Sequence, residues 1–444
     1  MVSATAGHAQ SLRDALSATY ENNPTLNAAR AELRGVDENV PQALAGWRPQ
    51  ISVSASSGMR NVSDQSYFTG RGFSETTVGM AITQPLFRGF RTVNSTRQAE
   101  SIVFAQREDL RVSEQTALLQ AATAYMDVIR DTGIVALRRS DLKFQEELVR
   151  ASKDRFSVGE GTRTDVAQSE AGRARSQSAL NAALANLNTS RAVFRQVIGL
   201  DPKNLSPKSN VATLIPKSVS QAIAIGQEEH PSIMSAMHIV DAAIFSVKTA
   251  EGTLLPSVEL EGSLQTKLTS SNGRQSGANG TQNAASIFGR VTIPLYQQGT
   301  EYSTIRQAKE DLGRTEILVD VARDTVRAEA ISAWGRLNAA EGSISAAQAE
   351  VSAAQLALEG VIEEQRVGQR TTLDVLDSQS DLVDARVTLI TAQRDKVVAA
   401  YALLATVGRL THDFLGLTVP KYDPREHYNA VRDKWIGLRT PDGR

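Results

Sequence analysis

Two short stretches gather the side chains best suited to chemistry. Phe156–Val166 reads F-S-V-G-E-G-T-R-T-D-V, and Gln365–Asp377 reads Q-R-V-G-Q-R-T-T-L-D-V-L-D. Val158-Gly159 aligns with Val367-Gly368, and Asp165 with Asp374, at one constant offset. Thr162…Asp165 and Thr371…Asp374 both fit T-x-x-D capping boxes, in which hydroxyl and carboxylate satisfy the first backbone N–H groups of a helix. Gly159 and Gly368 fit the left-handed residue that ends the preceding helix. Capping accounts for the Gly, Thr and Asp of each stretch. It leaves Asp377 and Arg370 as charges that need another role.

Catalytic chemistry finds little footing elsewhere. The sequence contains no H-E-x-x-H, no G-x-x-x-x-G-K-[ST] and no G-x-S-x-G. His230 and His238 share a helical stretch without a third ligand at metal spacing, so no metal site is expected from them. Gly70-Arg71-Gly72 is too short for a phosphate-binding loop. The chain has no cysteine, which removes disulfides, thiolate metal sites and a thiol nucleophile. Lys and Arg number 48 against 49 Asp and Glu, so no nucleic-acid partner is expected. No catalytic residue and no cofactor are assigned.

The elements around the two stretches come in duplicate. Ser11 and Asp14 open a helical segment that Asn23-Pro24 should bend or restart; Ser218 and Gln221 open another, punctuated by His230-Pro231. Ile51, Val53 and Ala55 alternate with serines, and Val78, Met80 and Ile82 alternate with Thr77, Gly79, Ala81 and Thr83. Val258, Leu260, Gly262 and Leu264 alternate with polar residues, and Ile287, Val291 and Ile293 continue the pattern. Period two with one apolar face reads as strand, with strands expected over about 50–62, 73–86, 257–269 and 284–295. Polar loops are expected at Asn61–Ser74 and Ser270–Ala285. Pro85-Leu86-Phe87 and Pro294-Leu295-Tyr296 close the two hairpins. Long helices should cover about 92–156 and 301–366, the first on the order of 90 Å at 1.5 Å per residue. The tips 157–165 and 367–371 then lead into helices running to about 198 and 407.

Ala347, Val351, Ala354, Leu358 and Val361 follow a 4-3 alternation, and Leu376, Val383, Ile390, Val397 and Leu404 recur every seven residues. Heptads of this kind keep one seam against a partner helix and imply left-handed supercoiling. No run of 18 or more apolar residues is present, so no transmembrane helix is expected. Residues 1–10 read either as the end of a signal peptide or as a tag. The first repeat covers 11–199 and the second 218–408, and 409–444 reads as a polar, irregular tail.

The strands set a further demand. Each has the length of a membrane-spanning strand and one apolar face. Four strands cannot close a barrel, and open sheet edges are not tolerated in lipid. If the strands span a membrane the protein must oligomerise; the other reading is a half-buried sheet in water.

The duplicated order of helix, strand pair, long helix, V-G turn and helix resembles the TolC family of outer-membrane efflux and type I secretion channels. Asn23-Pro24 with His230-Pro231, Pro85-Leu86-Phe87 with Pro294-Leu295-Tyr296, and the two V-G tips carry the resemblance over roughly Ser11–Leu410. It implies a mainly α fold with a small β part: a homotrimer with a 12-strand β-barrel in outer-membrane lipid, continuous with a 12-helix α-barrel across the periplasm of a Gram-negative bacterium. Residues 200–217 and 409–444 would form a belt at the equator. The resemblance also implies a passive exit duct for drugs, toxic compounds or secreted polypeptide. A periplasmic adaptor protein and an inner-membrane transporter of the RND, ABC or MFS type would recruit it. The missing N-terminal cysteine separates the chain from the lipidated branch.

By the same resemblance Asp374 and Asp377 form the periplasmic constriction, an acidic ring able to bind cations. Thr164, Asp165, Gln365 and Arg370 match the latch between neighbouring hairpins; many members carry an aromatic where this chain has Gln365. Val158, Gly159, Val367 and Gly368 match the adaptor footprint. For Asp165 the capping role and the latch role stand side by side. The rival from another class is a soluble periplasmic coiled-coil scaffold or adaptor, which has the long helices but no need of four amphipathic strands.

Overall fold

The computed structural model of the protein describes residues 10–62, 71–207, 211–271 and 280–443; the expected signal remnant or tag otherwise lies outside them. The first copy runs α1 (Leu12–Asn22), α2 (Pro24–Asp37), α3 (Asn39–Leu44), β1 (Gln50–Val62), β2 (Arg71–Arg88), α4 (Arg91–Ser157) and α5 (Arg163–Ile198). The second runs α6 (Val219–Glu229), α7 (Pro231–Glu251), β3 (Ser257–Ser271), β4 (Gly280–Thr292), α8 (Thr300–Arg366) and α9 (Thr372–Thr406). Two short helices follow, α10 (His412–Leu415) and α11 (Pro424–Val431). The fold is mainly α with a small β part.

Each copy breaks its first helical run at a proline. The Asn23 side chain accepts the N–H groups of Thr25 and Leu26 at 2.9 and 3.1 Å, so α2 starts capped, with Pro24 at a position that needs no donor. In the second copy His230 takes that place, and its Nδ1 accepts the Ser232 N–H at 3.2 Å. α4 and α8 then extend for 67 residues each, about 100 Å at 1.5 Å per residue.

The chain divides into two compact units. Met1–Glu32, Arg107–Met234 and Asp320–Asp423 form one; Leu33–Gln106, Ser235–Val319 and Pro424–Arg444 form the other. The first holds the hairpin tips and a core in which Tyr125, Phe194, Leu118, Leu403 and Leu404 are fully buried. Here Tyr125 Oη lies 2.7 Å from the Gln10 carbonyl and 2.8 Å from that of Ser206, whose N–H it accepts at 2.9 Å. Burial pushes the phenol up to about 12.

The second unit holds one antiparallel sheet in the order β1-β2-β3-β4. Its register places Ile51, Ile82, Gly262 and Ile287 in one row, and Val53, Met80, Leu264 and Ala285 in the next. These rows make one face, on which Val53 is 73% and Ile287 77% exposed. The opposite face carries Ser52, Ala81, Ser263 and Ser286 in one row. On it Glu261 pairs with Arg290 at 2.8 Å and Glu75 with Lys267 at 2.9 Å. Exposed apolar residues on one face and hydrogen-bonded polar residues on the other describe a wall between lipid and water. β1 and β4 are the sheet's edges.

Several elements differ from the sequence reading. β2 continues through Pro85 to Arg88, with a bulge between Pro85 and Phe87 that accommodates the missing donor. β4 begins at Gly280, inside the expected loop, and ends at Thr292; Pro294 lies outside the ladder. The Gly- and Ser-rich arms stay extended because a paired neighbour supplies their hydrogen bonds whatever their side chains. The tail is not irregular throughout: α11 packs Tyr428 against the cluster of Val40, Ala99 and Val103, and from Pro424 onward it belongs with the strands rather than with residues 409–423. Val219–Leu254 reaches a mean hydropathy of 1.3 over 18 residues, apolar and long enough to cross a membrane by composition, although none was expected. It is two helices, broken at His230-Pro231.

Candidate functional site

Both hairpins turn by the same device. Gly159 has φ 83°; its N–H donates to the Phe156 carbonyl at 3.1 Å, and the Glu160 N–H donates to that of Arg155 at 2.9 Å. Gly368 has φ 79°, with the matching bonds to Gln365 at 3.0 Å and, from Gln369, to Glu364 at 2.9 Å. This pair of bonds is the Schellman closure, which a residue with a Cβ adopts only under strain. Three residues on, the chain re-enters a helix through the capping boxes. The Thr162 N–H donates to Asp165 Oδ2 at 3.0 Å and the Asp165 N–H to Thr162 Oγ1 at 3.1 Å. At the second tip the corresponding bonds of Thr371 and Asp374 are 2.8 and 3.2 Å.

The caps set the charge of the tips. The Thr162 hydroxyl and N–H hold Asp165 below the ordinary carboxylate range, as do the Thr371 N–H and hydroxyl for Asp374. Both are therefore anions at neutral pH. Asp377 stands exposed one helical turn beyond Asp374 on α9.

The structure brings some of the expected residues together and separates others. Thr372, the first residue of α9, is the joint. Its Oγ1 accepts a hydrogen bond from Gln365 Nε2 at 3.4 Å, and its hydroxyl adds to the Thr162 groups in holding Asp165 of the other tip below the ordinary carboxylate range. Thr372, which the sequence reading did not name, thus touches Gln365 directly and Asp165 through its electrostatics. The Thr371-Thr372 doublet, where the first copy has Thr162-Arg163, was the available signal. Arg370 is not the unengaged charge that the sequence suggested: its Nε lies 2.8 Å from Glu364 Oε2 on the same hairpin. Thr164 is exposed, and Val158 and Val367 are 70% and 71% exposed.

Behind the tips, polar contacts bind the helices at fixed heights. Asp141 on α4 is buried; Ser176 on α5 donates to one carboxylate oxygen and Gln379 on α9 to the other, the latter at 2.9 Å. Ser152 and Ser169 join α4 to α5 at 2.8 Å. Gly172 lets α5 and α9 approach, since a Cβ there would stand 2.8 Å from Leu376. Farther along, Arg394 on α9 reaches Asp127 on α4 at 2.9 Å and its neighbour Asp395 at 2.8 Å. Leu358, Val375 and Leu382, with Phe144 and Leu148 against them, bring α8 into the same packing. A buried carboxylate satisfied from two other helices fixes which residues face one another, because any slip leaves a charge unpaired.

A profile described as "Outer membrane efflux protein" matches residues 15–200 and again 223–409 of this chain. The chain is 47% identical over 435 residues to outer membrane efflux protein BepC of Brucella suis, covering 98% of this chain and 93% of that one. It is 26% identical to outer membrane protein TolC of Escherichia coli K12, covering 89% and 82%. In three dimensions it is similar to the CmeC outer membrane channel of Campylobacter jejuni, with a TM-score of 0.76 at 16% identity, covering 95% and 89%.

Proposed function

Because the chain belongs to the outer membrane efflux protein family, matched once by each of its two copies, we propose that three copies assemble into one duct, closed and opened at its hairpin tips. The protein is an outer-membrane exit duct. Three four-stranded sheets would pair edge to edge into a twelve-stranded barrel, satisfying the backbone groups that β1 and β4 leave open. The apolar surface of α6 and α7 would be covered between copies. The observation that carries the reading is the sheet itself: apolar and exposed on one face, and, apart from Phe288, largely polar with two ion pairs on the other.

In this duct Asp374 and Asp377 from three copies make the acidic constriction, and Thr164, Asp165, Gln365 and Arg370 make the contacts between hairpins. Val158, Gly159, Val367 and Gly368 meet a periplasmic adaptor, which recruits an inner-membrane transporter of the RND, ABC or MFS type. Cargo moves through without chemical change. Purified protein in a planar bilayer should give cation-selective channels that millimolar divalent cations block at the tip. Extraction without detergent, as a monomer that never conducts, would overturn the reading in favour of a soluble scaffold.

A further inference from the structure

The end of the chain carries a cluster that the duct does not use. After α11 the sequence reads K-W-I-G-L-R over residues 434–439. Trp435 is 64% exposed, Ile436 89% and Leu438 103%. This is not a loose end. His427 Nδ1 lies 3.0 Å from the fully buried Asp37, Val431 is fully buried, and Arg432 pairs with Glu100 at 3.6 Å. Arg48 then pins the segment: its guanidinium donates to the Lys434 carbonyl at 2.9 Å and stacks over the Trp435 ring at 5.0 Å.

Arg48 stands two residues before Gln50, the first residue of β1. The segment is therefore held at the helix-side foot of the sheet, where the apolar face begins at Ile51. A folded protein that fixes three large apolar side chains in the open holds them for a partner. Tryptophan with aliphatic neighbours, flanked by Lys434 and Arg439, is the composition that seats at a membrane–water boundary, ring at headgroup level and cations toward phosphate.

We infer that Trp435, Ile436 and Leu438 insert into the phospholipid leaflet at the foot of the sheet, making residues 434–439 an interfacial anchor beside each strand group. The inference rests on the strands spanning the membrane. It gives the tail a task separate from conduction: fixing how deep the barrel sits and resisting tilt under the pull of a docked partner.

The absence of cysteine allows a direct test. Single variants Ile436→Cys and Val53→Cys, each spin-labelled, are reconstituted in vesicles of phosphatidylethanolamine and phosphatidylglycerol, and collisions with oxygen and with a neutral nickel chelate are compared. Oxygen concentrates in lipid and the chelate in water. The label at 436 is expected to favour oxygen, as the label at 53 does. A label at 53 in lipid with one at 436 in water overturns the anchor and leaves the duct standing. A label at 436 shielded from both reagents places a second copy over the segment, and also overturns it. Labels at both positions in water remove the membrane reading together with the anchor.

Discussion

Arg370 Nε lies 2.8 Å from Glu364 Oε2, across the turn of its own hairpin. The guanidinium expected to reach another hairpin is thus already held, and Glu364 keeps it firmly protonated. A latch through Arg370 has to compete with this pair. Glu364→Gln should free the arginine, lower the resting conductance and sharpen the open–closed transition, whereas Arg370→Ala should raise the leak. Single-channel recording of the two variants checks the signs; equal conductance in both would remove Arg370 from the gate.

Thr372 accepts a hydrogen bond from Gln365 and helps hold Asp165 of the first tip below its ordinary range. Thr372→Val keeps the shape and removes the hydroxyl. The variant should fold and assemble with an unchanged melting temperature while passing current more readily at rest. A resting current equal to that of the parent would show that the two tips are held by other contacts.

Gly172 faces Leu376 and Gln145 with no room for a side chain. Gly172→Val should cost about 1–3 kcal/mol by overpacking and lower the melting temperature. It should also increase hydrogen exchange at the tip ends of α5 and α9 more than near Tyr125.

Burial, with Arg111 nearby, holds His230 below its ordinary value of 6.5. The unfolded chain then takes up the proton first. Stability is complete above about pH 6.5 and declines as pH falls toward the lower folded value. His230→Asn supplies the cap acceptor that Asn23 supplies in the first copy, without a titrating ring. Melting temperature followed between about pH 7.5 and 5.5 should fall less in His230→Asn than in the parent. Parallel curves would assign the acid sensitivity elsewhere.

The seam between copies has a template inside one chain. β2 and β3 come from different repeats, and they pair with Ile82 opposite Gly262. Carrying that register over the duplication sets Val291 of one copy opposite Ala55 of the next. Ala55→Cys with Val291→Cys should therefore oxidise to a covalent trimer on a non-reducing gel. Val53→Cys with Val291→Cys tests a register slipped by two residues, and its preferential cross-linking would replace the template.

The parts of this fold that were legible in the sequence are those whose signal is local. Gly159 and Gly368 announce the turns because the closure needs a left-handed residue, and Thr162 and Thr371 announce the caps because their partners sit three residues away. The strands showed through alternation, although their polar arms near Gly280 and Arg71 did not, since pairing rather than composition holds them extended. What escaped notice depends on distant partners. Asp141 reads as one more helix-surface carboxylate until Ser176 and Gln379 close on it. Thr372 reads as a helix start until the other tip meets it. The polar tail hid α11 because its anchor, the pairing of His427 with Asp37, joins opposite ends of the chain.

α4 and α8 are both 67 residues long. A descendant that deleted a residue from one arm alone would rotate every later side chain of that arm by about 100° and shorten the arm by about 1.5 Å. Length in this lineage can therefore drift only in concert: a lasting insertion must enter both arms, or come in whole heptads with its match. The two long arms are free to diverge in letters but are bound together in count.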